Sequence, residues 1–269
     1  MPPARHPAVR PVAVVSGASS GIGAALARLL AAQGHDVALL ARRRSALDEV
    51  AAAVVAAGGQ AHVEVVDLTD AVAVARAMAS VRAWRPQLDV VVANAGVYQR
   101  GLATAVRREH LEAALRDNFW TAFHLVEATL PLLRARRRGH LVFVNSFDAK
   151  KGLPMDAAYA AAKAALASYA ASLRQALRSD GVGVCTVFPG RVDTPMVDAV
   201  QVPAISAKIP PERVARAVLA ALRWRRAEVI VPWHIRPLWW LDVVSPRLAD
   251  WLVARLRLDG WTGASTTEP

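Results

Sequence analysis

Three side chains between Ser146 and Lys163 could together carry out acid–base chemistry. The stretch reads SFDAKKGLPMDAAYAAAK, with a hydroxyl at Ser146, a phenol at Tyr159 and an ammonium at Lys163. Residues four apart lie on one face of a helix, so Lys163 can stand beside Tyr159 and alter its acidity. A tyrosine and a lysine at this spacing also occur on exposed helices without any chemical role. The elements that position this stretch therefore decide how it is interpreted.

A glycine-rich turn near the N-terminus has the context of a phosphate-binding loop. The apolar run over residues 11–16 predicts a buried parallel strand, GASSGIG follows it, and a helical segment closes at Gly34. Glycines in such a turn let the backbone approach a ligand, and the free N–H groups at the helix start attract an anion. Strand, turn and helix together predict a dinucleotide site at Gly17, Gly21 and Gly23.

The second strand, over residues 35–41, is followed by Arg42, Arg43 and Arg44. In a dinucleotide fold the end of this strand meets the adenosine ribose, where an acid binds the 2′-hydroxyl and an arginine accepts a 2′-phosphate. No acid stands at this point, so Arg42 favours NADP(H) over NAD(H). The alternative is a solvated basic helix start, although cations at a helix N-terminus oppose the helix dipole.

The rest of the chain repeats the alternation of strands and helices. Further strands are predicted over residues 61–70, 88–96, 140–146, 181–190 and 228–232. The fifth strand delivers Ser146 to the carboxyl edge of the sheet, where ligands bind in open α/β folds. Asn118 lies inside a long helical region over residues 107–138, where an asparagine often has a hydrogen-bonding reason.

The predicted fold class is α/β, a single-domain Rossmann-type doubly wound parallel sheet of about seven strands with a C-terminal helical extension. We expect a disordered N-terminus over residues 1–10, a catalytic domain over 11–232 and a Trp-rich helical extension over 233–269.

The composition excludes several classes of site. Cys185 is the only cysteine, in an apolar run, which predicts a buried inert thiol and a reducing, cytoplasmic location. The seven histidines show no paired spacing, so no metal site is expected. The sequence shows neither a secretory signal nor an apolar run of about 18 residues that would span a membrane.

The net charge of +11 is compatible with nucleic acid, an acidic membrane surface or phosphorylated ligands, and equally with compositional bias. Because the arginines are spread along the chain, we expect no nucleic-acid partner.

The C-terminal segment is rich in tryptophan and arginine. Five of the eight tryptophans stand at or after position 233. Leu248, Trp251, Leu252 and Leu256 follow helical spacing, with arginines between them. Such a helix could lie on a membrane surface, cover the substrate pocket or form a subunit interface, and the sequence leaves these alternatives open.

The motifs together resemble the short-chain dehydrogenase/reductase family over residues 12–196. Their order and spacing agree with the family pattern. They are the TGxxxGIG loop at Gly17, Gly21, Ile22 and Gly23, with Ser16 in place of the usual Thr; the NAG turn at Asn94, Ala95 and Gly96; the YxxxK signature at Tyr159 and Lys163; and the PGxxxT segment at Pro189, Gly190 and Thr194.

The resemblance implies a catalytic tetrad of Asn118, Ser146, Tyr159 and Lys163. Tyr159 would donate the proton in carbonyl reduction and act as base in alcohol oxidation. Because a phenol with a reference pKa of about 10 is poorly matched to neutral pH, Lys163 would stabilise its phenolate and also bind the nicotinamide ribose. Ser146 would bind the substrate oxygen, and Asn118 would support a water and proton path.

The resemblance also implies the cofactor contacts. Thr194 would hold the carboxamide and Asp67 the adenine. The implied cofactor-binding set is Gly17, Ser19, Ser20, Gly21, Ile22, Gly23, Arg42, Asp67, Leu68, Asn94, Ala95, Gly96, Tyr159, Lys163, Pro189, Gly190, Val192 and Thr194.

Departures from the family pattern bear on the pocket more than on the reaction. Thr121 stands where a Gly commonly follows the helix Asn, Phe147 replaces a frequent Ser, and Ala162 precedes Lys163 where Ser is common. Lys150 and Lys151 lie in the segment before Tyr159.

The sequence therefore predicts an NADPH-dependent oxidoreductase for an apolar carbonyl or secondary alcohol, a homo-oligomer by resemblance. A non-catalytic NADP(H)-binding sensor or scaffold, and a peripheral membrane protein acting on lipid, are the alternatives.

Overall fold

A parallel sheet of seven strands forms the centre of the molecule. The computed structural model describes residues 10–262. Its strands are β1 (Val12–Ser16), β2 (Asp36–Ala41), β3 (Ala61–Val65), β4 (Val90–Ala93), β5 (Gly139–Val144), β6 (Val182–Pro189), β7 (Val200–Gln201), β8 (Glu228–Val231) and β9 (Trp261–Thr262). The large sheet has the order β3-β2-β1-β4-β5-β6-β8, and all its pairs are parallel. The predicted sheet of about seven parallel strands is confirmed.

Helices cover both faces of this sheet. They are α1 (Gly21–Ala32), α2 (Arg44–Ala56), α3 (Ala71–Trp84), α4 (Arg108–Leu115), α5 (Thr121–Arg136), α6 (Ala157–Ala176), α7 (Pro211–Arg223), α8 (Arg236–Val244) and α9 (Pro246–Arg255). One apolar core joins α1, α2 and α7 to the sheet, and a second joins α3, α5 and α6 to its other face. The central strands β1 and β4 are buried on both faces, which explains why they are continuous apolar runs in the sequence.

The strand order reverses direction between β1 and β4, which places a crevice at their carboxyl ends. From β1 the chain adds β2 and β3 on one side, and it then returns to place β4 on the other side of β1. Ligands bind at such a switch point in doubly wound sheets. Gly17 and Asn94 directly follow these two strands and therefore border the crevice.

The helical region predicted over residues 107–138 contains an interruption. A π-helical turn, Arg116–Trp120, separates α4 from α5, and Asn118 lies within it. Such turns arise as local bulges in α-helices and are frequent at functional sites. The wider turn explains how an asparagine side chain in mid-helix can face the interior.

The C-terminal segment packs on the carboxyl side of the sheet. The predicted helical extension contains α8 and α9, but Trp261–Thr262 is a strand paired antiparallel with β7, which helical spacing did not predict. Residues 263–269 lie outside the described residues. Within residues 10–262, none of the helices combines the length and the apolar content that a membrane-spanning segment requires.

The N-terminal expectation covers residues 1–10, of which 1–9 lie outside the described residues. Arg10, by contrast, has a defined place, because its Nε forms an ion pair of 2.9 Å with the buried carboxylate of Asp36.

Candidate active site

The glycine loop after β1 is held against two other segments. Gly17 and Gly21 have positive φ angles of 62° and 55°, which side chains with a Cβ rarely adopt. A Cβ on Gly17 would lie 2.9 Å from the Cα of Ala95, and one on Gly21 would lie 2.9 Å from Cγ2 of Thr194. The loop can therefore take this path only with glycine at both positions, which the sequence motif predicted.

Ser16 ties the end of β1 to the turn after β4. Its Oγ accepts hydrogen bonds from the main-chain nitrogens of Asn94 (2.9 Å) and Ala95 (3.1 Å), and donates to the Val92 carbonyl (3.1 Å). The Asn94 amide in turn donates to the carbonyls of Ser16 (3.0 Å) and Gly17 (3.2 Å). A serine thus supplies the hydroxyl that this turn uses where the family pattern has threonine.

A cavity of about 530 Å³ extends from the glycine loop to Lys163. This volume is in the range of cofactor sites. Of the sequence-predicted residues, it is lined by Gly17, Ser19, Ser20, Gly21, Ile22, Arg42, Asp67, Leu68, Asn94, Ala95, Gly96, Asn118, Tyr159, Lys163 and Thr194.

These residues fit a nicotinamide dinucleotide. The glycines let the turn pack closely against Ala95 and Thr194. The Ser20 side chain does not cap the N-terminus of α1, so the N–H groups there are left available for an anion.

Four predicted cofactor residues lie elsewhere. Gly23 sits beneath the loop, where a Cβ would meet the Gly17 carbonyl and the Asn94 amide. Pro189, Gly190 and Val192 line an adjoining cavity instead. The reason is that β6 is three strands away from β1, which carries the glycine loop, with β4 and β5 between them.

Two arginines, and not only the predicted Arg42, line the far end of the cofactor cavity. Arg43 Nη2 donates to Ser19 Oγ at 3.2 Å, which links the end of β2 to the glycine loop. Arg44 points elsewhere and pairs with Asp48 at 2.9 Å. Sequence reasoning selected Arg42 alone, although the run of three arginines was the signal that a second could contribute.

Asp67 lines the same end of the cavity. Its carboxylate accepts hydrogen bonds from the Thr69 main-chain nitrogen (3.0 Å) and hydroxyl (2.9 Å), and these bonds hold the pKa of Asp67 below its usual range. The carboxylate is therefore ionised and fixed in position at neutral pH.

The four residues of the predicted tetrad converge on the middle of the crevice. Ser146 follows β5, Tyr159 and Lys163 stand on α6, and Asn118 comes from the π-helical turn. A Cβ on Gly96 would lie 2.6 Å from Asn118 Oδ1 and 3.4 Å from Lys163 Nζ. The absence of a side chain at Gly96 therefore lets these two groups approach one another.

The Asn118 side chain lies close to Lys163 and makes three hydrogen bonds to the main chain. Its amide nitrogen donates to the carbonyls of Val97 (2.9 Å) and Ala114 (3.0 Å), and its oxygen accepts from the Val97 nitrogen (3.2 Å). These bonds fix the segment after the NAG turn against the π-helical turn.

Burial shifts the pKa values of Tyr159 and Lys163 in opposite directions. Lys163 Nζ lies 5.7 Å from the centre of the Tyr159 ring and donates to the Val144 carbonyl at 3.3 Å. Burial lowers the pKa of Lys163 to about 8. Burial raises the pKa of Tyr159, the Asp148 carboxylate adds to the rise, and the Ser146 hydrogen bond opposes it. The phenol is therefore the form of Tyr159 that is present at neutral pH.

Asn145 joins Ser146 to the helix that carries Tyr159. Its amide donates to the Lys163 carbonyl at 3.0 Å, and its oxygen accepts from the Ser146 nitrogen at 2.8 Å. Sequence reasoning missed this residue, and its place directly before Ser146 was the signal available. Asn145 therefore fixes the position of the end of β5 relative to α6.

A second cavity, of about 360 Å³, opens on the other side of Tyr159. Its apolar wall includes Leu238 and Leu241 of α8 and Leu252 of α9. Ser146 and Asp148 provide polar groups beside this wall. Tyr159 lines both cavities, so its hydroxyl can face a cofactor and a second ligand at once.

Asp148 is a further titratable group at this cavity that sequence reasoning missed. Burial raises its pKa to about 7, and the Asp156 carboxylate acts in the same direction. Tyr98, also missed, packs edge-on against the Tyr159 ring at 5.0 Å and donates to Asp156 at 2.8 Å.

The family model for short chain dehydrogenase matches residues 11–203. The chain belongs to the short-chain dehydrogenase/reductase family. It is accordingly an NAD(P)-dependent oxidoreductase that acts on CH–OH groups and their carbonyl counterparts.

Relatives and solved structures agree with this membership. A fatty acyl-CoA reductase of Acinetobacter baylyi is 30% identical over 213 residues, which cover 78% of this chain and 72% of that protein. Ketoacyl reductase HetN of a Nostoc species is 31% identical over 221 residues, 81% of this chain and 77% of that protein. An alcohol dehydrogenase from Thermococcus sibiricus, solved with 5-hydroxy-NADP, superposes with a TM-score of 0.75 at 26% identity, covering 82% of this chain and 95% of the other.

Proposed function

We propose that this protein reduces the carbonyl group of an apolar small molecule with NADPH, with Tyr159 as the proton donor. The observation that carries the proposal is the position of Tyr159 between the cofactor cavity and the apolar cavity. A group at this junction can reach the oxygen of a carbonyl whose carbon faces the cofactor. Ser146 lies beside the same junction and can hydrogen-bond that oxygen.

When bound, the nicotinamide supplies a hydride. The chain supplies the proton: the Tyr159 phenol is protonated at neutral pH and can donate to the carbonyl oxygen. The buried Lys163 ammonium then stabilises the phenolate that remains, since opposite charges attract strongly in a site that excludes water. Asn118, fixed beside Lys163, supports a path by which a proton returns to Tyr159.

The raised pKa of Tyr159 suits the role of proton donor in reduction. Reduction needs the phenol and oxidation needs the phenolate. Because burial and the Asp148 carboxylate both disfavour the phenolate, the acid form predominates over the neutral range.

The cofactor preference rests on the two arginines of the cavity. Arg42 and Arg43 face the region where the adenosine ribose of a dinucleotide lies, and an arginine there accepts a 2′-phosphate. We therefore propose NADP(H) over NAD(H).

The substrate cavity favours an apolar chain next to the carbonyl. Leucines of α8 and α9 form its wall, and few polar groups interrupt it. Two relatives are a fatty acyl-CoA reductase and a ketoacyl reductase, so acyl-chain carbonyl compounds are the first class to examine.

The proposal extends to the domain organisation, the location and the assembly of the protein. Residues 11–232 form the catalytic domain, and residues 234–258 of the C-terminal segment contribute to the wall of the substrate cavity. A cytoplasmic homo-oligomer, as dimer or tetramer, belongs to the same proposal.

The test is NADPH consumption across a panel of ketones, steroids and acyl-chain carbonyls, together with NADPH affinity measured by isothermal titration calorimetry. We expect turnover of at least one apolar carbonyl compound. Tight NADPH binding without consumption across the panel would replace the proposal with the non-catalytic sensor.

A further inference from the structure

The helices α8 and α9 present two faces with different surroundings. Leu238 and Leu241 of α8, and Leu252 at the middle of α9, line the apolar cavity beside Tyr159. Ala249 and Val253 of α9 are buried against the protein. One side of this helix pair is thus the wall of the candidate substrate site.

The solvent-facing side of the helix pair is also apolar. We define the outer face by Trp240, Val243, Val244, Leu248 and Trp251. Their exposed fractions are 58%, 60%, 81%, 46% and 58%. The spacings of three and four residues within each helix place these side chains together on one side. An apolar surface of this kind on a folded protein marks a site of association.

Three arginines of α8 and α9 accompany the outer face and outnumber the two acids of these helices. Arg236 of α8, and Arg247 and Arg255 of α9, are exposed and lie within about 60° of a tryptophan of the outer face at 100° per residue. In the described part of the chain, no ion pair includes any of the three.

The two carboxylates of these helices serve a different contact. Asp242 and Asp250 both pair with Lys151, and the Asp250 side chain remains 67% exposed. The outer face is therefore cationic as well as apolar.

We infer that the outer face docks on the surface of an anionic lipid bilayer, so that apolar substrates enter the cavity from the membrane. Tryptophan and aliphatic side chains insert at the headgroup boundary, and arginines beside them bind acidic headgroups. Because α8 and α9 also line the cavity, a bilayer on the outer face would lie one helix layer away from it. A lipid-borne substrate would then have a short path to Tyr159. The entry route rests on the proposed function, whereas the docking itself does not.

Charge complementarity favours a bilayer over a second copy of this chain. In a two-fold interface the same patch meets itself, so two patches of net positive charge would be brought together. Like charges placed together across an interface cost free energy. An anionic surface meets both the apolar and the cationic character of the outer face.

The test is flotation of the full chain with vesicles of phosphatidylcholine alone and of phosphatidylcholine with phosphatidylglycerol. We expect binding to the mixed vesicles, weakened more than about tenfold by the double variant Trp240→Ala/Trp251→Ala. The double variant Arg247→Gln/Arg255→Gln loses about fivefold for each arginine on mixed vesicles only. A matched control is Arg223→Gln/Trp224→Ala, because Trp224 is 66% exposed and stacks with Arg223 at the end of α7, away from α8 and α9; it should bind as the wild type does.

The inference is overturned if the wild type does not bind vesicles or if all variants bind them equally. It is also overturned if light scattering shows that the tryptophan variant no longer self-associates while its vesicle binding equals that of the wild type. Turnover of a water-soluble short-chain ketone should stay unchanged in both double variants. If the wild type consumes no NADPH with any carbonyl but binds vesicles in this pattern, the proposed function fails and the docking stands.

Discussion

Lys151 Nζ lies 2.7 Å from the Asp242 carboxylate of α8, and the same ammonium also contacts Asp250 of α9. The Lys151 side chain is only 8% exposed. It belongs to the segment between Ser146 and Tyr159, so a single cation joins the candidate active-site segment to both helices that wall the substrate cavity.

Replacing Lys151 with methionine should loosen this wall. The change leaves two neighbouring carboxylates without their cation. We expect a loss of about 2 kcal/mol in the free energy of unfolding. This is less than the roughly 3–5 kcal/mol expected when a fully buried pair is broken, because Asp250 is well exposed. The KM for the carbonyl substrate should rise several-fold while the KM for NADPH stays near its original value.

Steady-state kinetics and thermal unfolding measure both effects. Lys208→Met is the matched control, since the Lys208 ammonium donates to the exposed main-chain carbonyl of Asp198 and forms no ion pair within residues 10–262. Equal carbonyl KM values in Lys151→Met and wild type would show that the cation does not hold the cavity wall.

Asp148→Asn should shift the pH dependence of the reaction. In the wild type the Asp148 charge forms as the pH rises through about 7, and it opposes ionisation of Tyr159. Removing the charge lowers the pKa of Tyr159, so alcohol oxidation, which needs the phenolate, should begin at lower pH. Reduction near neutral pH should change little, because the phenol still predominates there.

The measurement is the pH profile of kcat for both directions, compared with that of Asp180→Asn, whose carboxylate pairs with Arg134 on the surface. An oxidation profile that stays in place, or moves to higher pH, contradicts the assigned effect of Asp148.

Arg42 and Arg43 should both contribute to the choice of cofactor. A charge-assisted hydrogen bond to phosphate is worth about 1.5–3 kcal/mol, so each change to alanine should raise the KM for NADPH about tenfold or more. The KM for NADH should change little with Arg42→Ala, whereas Arg43→Ala also removes the bond to Ser19 and should affect both cofactors somewhat. Arg44→Ala, which loses only its pair with Asp48, serves as control. Equal effects of Arg42→Ala on both cofactors would exclude a role in reading the 2′-phosphate.

The sequence predicted those parts of the site that depend on short stretches of chain. The apolar runs and the glycines after β1 predicted strand, turn and helix, and the carboxyl end of β5 predicted where Ser146 would stand. These features depend on local backbone geometry and on the rule that strands of a parallel sheet end at one edge.

What the sequence did not predict depends on contacts between distant residues. Lys151 pairs with side chains 91 and 99 positions away, and no periodicity marks such a pairing. Asn145 acts through a main-chain carbonyl 18 positions away on another element. The rise in the pKa of Tyr159 likewise depends on burial and on Asp148, which only the assembled cavity reveals.

The role of Tyr159 as proton donor is tested most directly by measuring the NADPH-dependent reduction of an apolar carbonyl compound by the variant Tyr159→Phe. The variant keeps the ring that packs against Tyr98 and removes only the hydroxyl. We predict a fall in kcat of about 10²–10⁴-fold, the range of a general acid, with NADPH affinity within a few-fold of the wild type. Turnover unchanged in this variant would contradict the assignment of Tyr159 as the proton donor.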